Sequence, residues 1–150
     1  MRTYIAYCTL SLLLFSACGN PPANPEKADD AAVSGETASC YRYAREGDTI
    51  TLNISTVGNR VSGDLVYDWA EKDRNSGKVS GETRGDTLFM DYIFMSEGME
   101  SVREEVFLKK DGRLIIGYGE AEEKDGKWAY TDHARLKFDT IRLSPVDCKK

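Results

Sequence analysis

Across residues 49–55 the side chains alternate strictly. Ile50, Leu52 and Ile54 fall on one side of an extended chain, and Thr49, Thr51, Asn53 and Ser55 fall on the other. Period two with β-branched residues at most positions marks a strand with one face in a core and the other in water. Val57-Gly58-Asn59-Arg60 then supplies a hairpin turn. Beyond it, Val61, Gly63, Leu65, Tyr67 and Trp69 alternate with Arg60, Ser62, Asp64, Val66 and Asp68. A slip of one residue would turn every apolar side chain of this pair towards water, so the pattern specifies its register.

The same signature recurs along the chain. Residues 40–44, 78–84, 87–95, 101–109, 113–120, 128–130 and 136–143 read as further strands. Between them lie a polar break at 70–77, turns at Gly85-Asp86 and Lys110-Asp111-Gly112, a break at 96–100 and a charged hairpin tip at 121–127. Residues 131–134 read as a turn or a single helical turn, and 144–150 as a tail. Val-Ser-Gly occurs twice, at 61–63 and 79–81, each time early in a strand, where glycine permits bending. No stretch of ten or more residues carries a helical apolar face. The fold class is therefore all-β, an antiparallel meander. Closure removes the exposed edges of such a sheet, so an up-and-down, lipocalin-like barrel of about eight to nine strands is expected. A two-sheet β-sandwich is the alternative.

Residues 1–17 differ in kind. Arg2 gives a positive start, an apolar run follows, and Ser16-Ala17 offers a small-residue cleavage site before Cys18. The run is too short for a bilayer-spanning helix, which needs roughly 20 apolar residues. Leu14-Phe15-Ser16-Ala17-Cys18 resembles the signal of bacterial lipoproteins, with Phe15 where that family usually has an aliphatic residue. The resemblance covers the first 20 or so residues. It implies cleavage before Cys18 and lipidation of that cysteine, with acyl chains such as palmitate anchoring the protein; two or more chains hold a protein stably where one does not. Gly19 carries no inner-membrane retention signal, so the expected location is the cell envelope, at the outer membrane. Residues 18–38, with three prolines and no apolar periodicity, then form a flexible tether of roughly 25 Å root-mean-square span. Residues 39–150 form one domain.

Export bears on the cysteines. Cys8 leaves with the signal and Cys18 takes the lipid, so Cys40 and Cys148 remain, one near each end of the domain. In an oxidising compartment such a pair reads as a disulfide, which would set the first and last strands side by side. Closing a loop of this length stabilises by up to ~4–5 kcal/mol in the chain-entropy picture.

Ala70-Glu71-Lys72-Asp73-Arg74-Asn75-Ser76-Gly77, Met95-Ser96-Glu97-Gly98 and Arg103-Glu104-Glu105-Val106-Phe107-Leu108 resemble a family of small envelope lipoproteins of diderm bacteria. The similarity spans most of residues 40–138. It implies an exported single β domain and assigns no reaction.

The chain carries 20 Lys and Arg against 25 Asp and Glu, a net charge of −5, which argues against nucleic acid as a partner. His133 is the single histidine, so a metal site of several imidazoles is excluded. Glu71, Asp73 and Asn75 alternate like calcium ligands but lack the glycine and distal glutamate of an EF-hand, and Lys72 and Arg74 intervene. A solvated loop is the better reading, and no metal or other cofactor is expected. Asp132-His133 is not accompanied by a Gly-x-Ser-x-Gly elbow. Glu97, Glu100, Glu104 and Glu105 gather near Arg103 across a turn, where solvated carboxylates are expected. No phosphate-binding glycine loop opens a helix.

The aromatic residues are the more informative set. Tyr67, Trp69, Tyr92, Phe94 and Tyr118 lie on or beside strands. In a small barrel they either line a pocket for an apolar ligand or fill a dry core. Two functions follow: a non-enzymatic binding module for a small apolar ligand, or an envelope protein-interaction or structural module without a cavity. Its partners would be the membrane, through the N-terminal lipid, and such a ligand or envelope protein.

Overall fold

The computed structural model describes residues 35–148, apart from 73 and 97. The segment 1–17, Cys18 and the tether as far as residue 34 lie outside the described residues, as do Asp73 and Glu97.

Ten strands follow one another: β1 (Thr37–Arg45), β2 (Asp48–Val57), β3 (Arg60–Asp68), β4 (Asn75–Arg84), β5 (Thr87–Ser96), β6 (Met99–Lys110), β7 (Arg113–Ile116), β8 (Ala121–Lys124), β9 (Lys127–Tyr130) and β10 (Arg142–Val146). One 3₁₀ turn, His133–Arg135, precedes β10. Strands β1 to β7 pair consecutively, except that β10 rather than any later neighbour joins β7 to β1. Eight antiparallel strands thus close into a barrel, as the alternation predicts. β8 and β9 form a hairpin outside that cycle. β9 runs parallel along the first half of β6, on the edge that β7 occupies further along.

Closure brings the first and last strands together. Cys40 stands opposite Val146 in the β1–β10 ladder, and Cys40 and Cys148 are joined by a disulfide with Cα atoms 5.2 Å apart. The last strand lies later than its apolar pattern suggests. Pro145 removes one ladder donor, yet pairing with β1 continues on both sides of it. Leu136 and Phe138 leave the ladder instead and pack over Gly119 and Gly117, where an added Cβ would lie 3.0 and 2.7 Å from their side chains. The charged residues 121–124 form a strand and not part of a hairpin tip, because Asp125 and Gly126, both at positive φ, make the turn alone.

The inward positions carry the core. Ile50, Leu52, Leu65, Val79, Met90, Tyr92, Phe107, Leu114 and Leu143 are fully buried within it. Thr51, Asn53, Ser55 and Asp64 alternate with them towards the outside, an outer face unlike the apolar band of a membrane-spanning barrel.

The two Val-Ser-Gly copies meet each other. Val61 stands opposite Gly81, Ser62 opposite Ser80, and Gly63 opposite Val79. Each valine fills the space left by the glycine of the other copy. Both glycines are also pressed against the next strand: a Cβ on Gly63 would lie 1.9 Å from the Asn53 carbonyl oxygen, and one on Gly81 1.9 Å from that of Phe89. Small barrels turn such corners where the backbone has no side chain to accommodate. Gly81→Ala should therefore lower stability by about 1–3 kcal/mol, as overpacking does, read from the urea midpoint with the disulfide intact. Ser80→Ala, on the outer face beside it, should shift stability by less than about 0.5 kcal/mol.

Candidate functional site

By the antiparallel order, one end of the barrel carries the β1–β2 turn, the β3–β4 loop, the β5–β6 turn and the β8–β9 turn. The chain joins β1, and Cys148 follows β10, at the opposite end. The half of the interior nearer the first end is not purely apolar. Register places Arg103 of β6 opposite Tyr92 of β5, and Glu105 opposite Met90, so both charged side chains share the inward face with Phe107.

Glu105 is sealed in. Its carboxylate accepts hydrogen bonds from the Tyr67 hydroxyl at 2.8 Å and from Arg103 Nε at 2.6 Å. The Glu105 side chain is 5 % exposed, whereas that of Arg103 is 36 % exposed. The cation is therefore the outer member of the pair. Its guanidinium carbon lies 4.8 Å from the centre of the Tyr67 ring, 5.3 Å from Tyr92 and 5.2 Å from Phe94. The rings hold one another: Tyr92 stacks on Phe94 at 4.6 Å, meets Tyr67 edge-on at 6.0 Å, and Tyr67 packs on Trp69 at 5.9 Å. Cation–π contacts in such a setting contribute about 0.5–2 kcal/mol each. Trp128 of β9 stands opposite Arg103 in the parallel register, on the same face of the sheet. Two residues on, the Tyr130 hydroxyl donates to the Gly117 carbonyl at 2.8 Å.

Burial shapes the titration of the whole group. It pushes the Glu105 carboxyl up, against the opposing pull of the Arg103 charge and the hydrogen bonds from Tyr67 and Arg103. Tyr67 is raised well above its ordinary value by burial and then by the Glu105 charge. Tyr92 is pushed up to about 12 by burial, with Glu105 adding to the rise and Arg103 opposing it. Tyr130 is also pushed up to about 12, by burial and then by Glu105. For Arg103 burial works against the charge, but Glu105, Tyr67 and Tyr92 outweigh it and its pKa rises. The Tyr92 hydroxyl is buried and, among the described residues, has no hydrogen-bond partner.

Four of the five aromatic residues singled out from the sequence thus converge here: Tyr67, Trp69, Tyr92 and Phe94. Tyr118 does not. It is 38 % exposed and donates from its hydroxyl to Asp139 at 2.6 Å. The acidic group around Arg103 is divided by strand parity. Glu105 points inward, whereas Glu104 points outward, accepts from the Tyr130 backbone N–H at 3.0 Å and meets His133 Nε2 at 3.0 Å. Glu100 lies exposed near the β5–β6 turn. Asp132 does not orient His133; its carboxylate caps the 3₁₀ turn by accepting from the Ala134 N–H at 2.9 Å. Among the described residues, no group of three or more His, Cys, Asp or Glu side chains gathers in a metal-holding arrangement. Two grooves of about 760 and 770 Å³ lie on the outer face.

Scans against protein-family models, curated proteins and solved structures each returned no match.

A carboxyl whose pKa is higher in the folded than in the unfolded state holds its proton more tightly when folded. The stability it confers is full below the unfolded value, ordinarily 4.5 for glutamate, and is lost as pH rises through the folded value. The wild-type protein should therefore lose stability relative to Glu105→Gln as pH rises through that window, by at most about 1.4 kcal/mol per pH unit. Urea midpoints of the two proteins across this range check it; parallel pH profiles would refute it.

Proposed function

We propose that the chain is an exported, lipid-anchored binding module that performs no chemistry of its own and takes a small, largely apolar ligand at the Arg103 end of the barrel. The observation that carries this reading is the Arg103–Glu105 pair. A buried ion pair is weak as a source of stability, because desolvation of both charges offsets their attraction, and well-packed apolar side chains often do as well or better. Here the pair sits among aromatic rings, with the carboxylate buried and the cation partly exposed to solvent. Departures of this kind from apolar packing concentrate at functional sites. Cleavage before Cys18, acylation of that residue and placement at the outer membrane are supported by the signal-like segment at 1–18. Export is also consistent with the Cys40–Cys148 disulfide. The similarity to envelope lipoproteins of diderm bacteria points the same way.

A second reading has its own observation. The barrel interior is occupied by large, fully buried side chains, among them Tyr92, Phe107, Leu65 and Leu114. A filled barrel suits an envelope interaction module that uses its loops and has no internal ligand.

Two measurements follow. Cys18→Ser should move the protein from the membrane fraction to the soluble fraction after cell lysis. Native mass spectrometry of protein taken from its own envelope should show added mass that disappears on denaturation. Equal native and denatured masses would favour the interaction module.

A further inference from the structure

We propose that the ligand of the Arg103 site is a single-chain amphiphile with an anionic head, the head paired with Arg103 and the chain lying across the apolar rim of the same barrel end. This deepens the binding-module reading and rests on it.

Two features define the chemistry. The first is the polar centre. Arg103 is one-third exposed, and Glu105 approaches it from below, through Nε. A carboxylate, sulfate or phosphate oxygen arriving from solvent meets the guanidinium on its exposed side. A neutral head offers only the weaker bond of an uncharged acceptor, and a cationic head is repelled.

The second feature is the rim. Met99 is 70 % exposed and Trp128 54 %. By parity Met99, next to the β5–β6 turn, is on the same face of β6 as Arg103, and Trp128 is level with Arg103 in the register; Met95, opposite Glu100, is on the outer face. Phe94, half-buried, joins this rim to the stacked rings around the cation. Methionine and aromatic side chains adapt to a flexible chain without dictating its length.

The loops at this end carry both signs: Glu46, Asp48, Glu71, Glu100 and Asp125 stand among Arg45, Lys72, Arg74, Lys124 and Lys127. They present no uniform charge to a bilayer surface, so the single head at Arg103 is what sets the ligand's charge.

Trp69 and Trp128, the two tryptophans of the chain, both stand at this end, so intrinsic fluorescence reports the site. The test uses the exported chain carrying Cys18→Ser, titrated with dodecanoate, dodecanol and dodecyltrimethylammonium, each below its micelle concentration. It also uses phosphatidylglycerol vesicles. Dodecanoate should give a saturable change with an affinity at least ten-fold above that of dodecanol, and the ammonium probe and the vesicles should give none. In Arg103→Met/Glu105→Gln, which removes both charges together, the preference for dodecanoate over dodecanol should vanish. Equal affinities for dodecanoate and dodecanol in the wild-type protein overturn the anionic head while leaving the rim as an apolar site. A response to vesicles alone overturns the single-molecule ligand. No saturable response to any probe overturns the proposal, and the native mass comparison then decides separately whether the protein carries a ligand. Should the double variant fail to fold, the wild-type ranking of the probes stands as the deciding result.

Discussion

Glu105 is a carboxylate at the centre of an apolar barrel, and its demand for partners organises the end of the molecule around it. Burial of a charge is tolerable only where hydrogen bonds and an opposite charge replace water. Tyr67 reaches across from β3 and Arg103 comes from two positions earlier on β6. Once Arg103 is drawn inward, its flat guanidinium needs faces to pack on, and Tyr67, Tyr92 and Phe94 supply them. Trp69 in turn packs on Tyr67. A chain of polar and aromatic contacts thus links β3, β5 and β6, strands that are not all neighbours in the sheet.

This arrangement requires the barrel to be closed, since Tyr67 and Glu105 meet only across the lumen. Closure rests on the β5–β6 ladder and on β10 bridging β7 to β1. The disulfide ties that last seam. The interlocked Val-Ser-Gly segments let β3 and β4 press close to their neighbours. The hairpin β8–β9 extends the sheet along the edge of β6. Lys127 pairs with Asp91, and Glu104 holds both the Tyr130 backbone and His133. The 3₁₀ turn sets the His133 ring against Phe89 on the outer face, opposite Val106 in the register, and β6 is buried on both faces, with Phe107 inside and Val106 on the other side.

That double burial explains what the sequence shows and what it conceals. In β2 and β3 one face is apolar and the other polar, so strand, register and inward side are all legible from Ile50, Leu52, Ile54 and Leu65. The pairing of Cys40 with Cys148 is also legible, because these are the two cysteines of residues 39–150 and stand one near each end. In β6 the residues Val102, Val106 and Leu108 share one parity while Phe107 holds the other. Alternation cannot choose between the two faces, and the inward one carries Arg103 and Glu105. Arg103, Glu104 and Glu105, with Glu97 and Glu100 shortly before them, then read as a solvated turn. Trp128 and Tyr130 read as a short strand from the sequence, but its place in parallel beside β6 is set by contact and not by a pattern of its own. Tyr118 stands apart from the collar because β7 ends at Ile116, two residues before it.

The central claim is that the Arg103–Glu105 pair is kept for what it presents at the barrel end and not for stability. A double-mutant cycle at neutral pH tests this most directly, with Arg103→Met, Glu105→Gln and the two combined, each measured by urea unfolding. Arg103→Met alone strands a buried carboxylate and should cost about 3–5 kcal/mol, while the combined variant should return to within about 1 kcal/mol of the wild-type protein, a strong positive coupling. Additive losses, leaving the combined variant at least as unstable as Arg103→Met, would contradict the account and make the pair a structural element of the core.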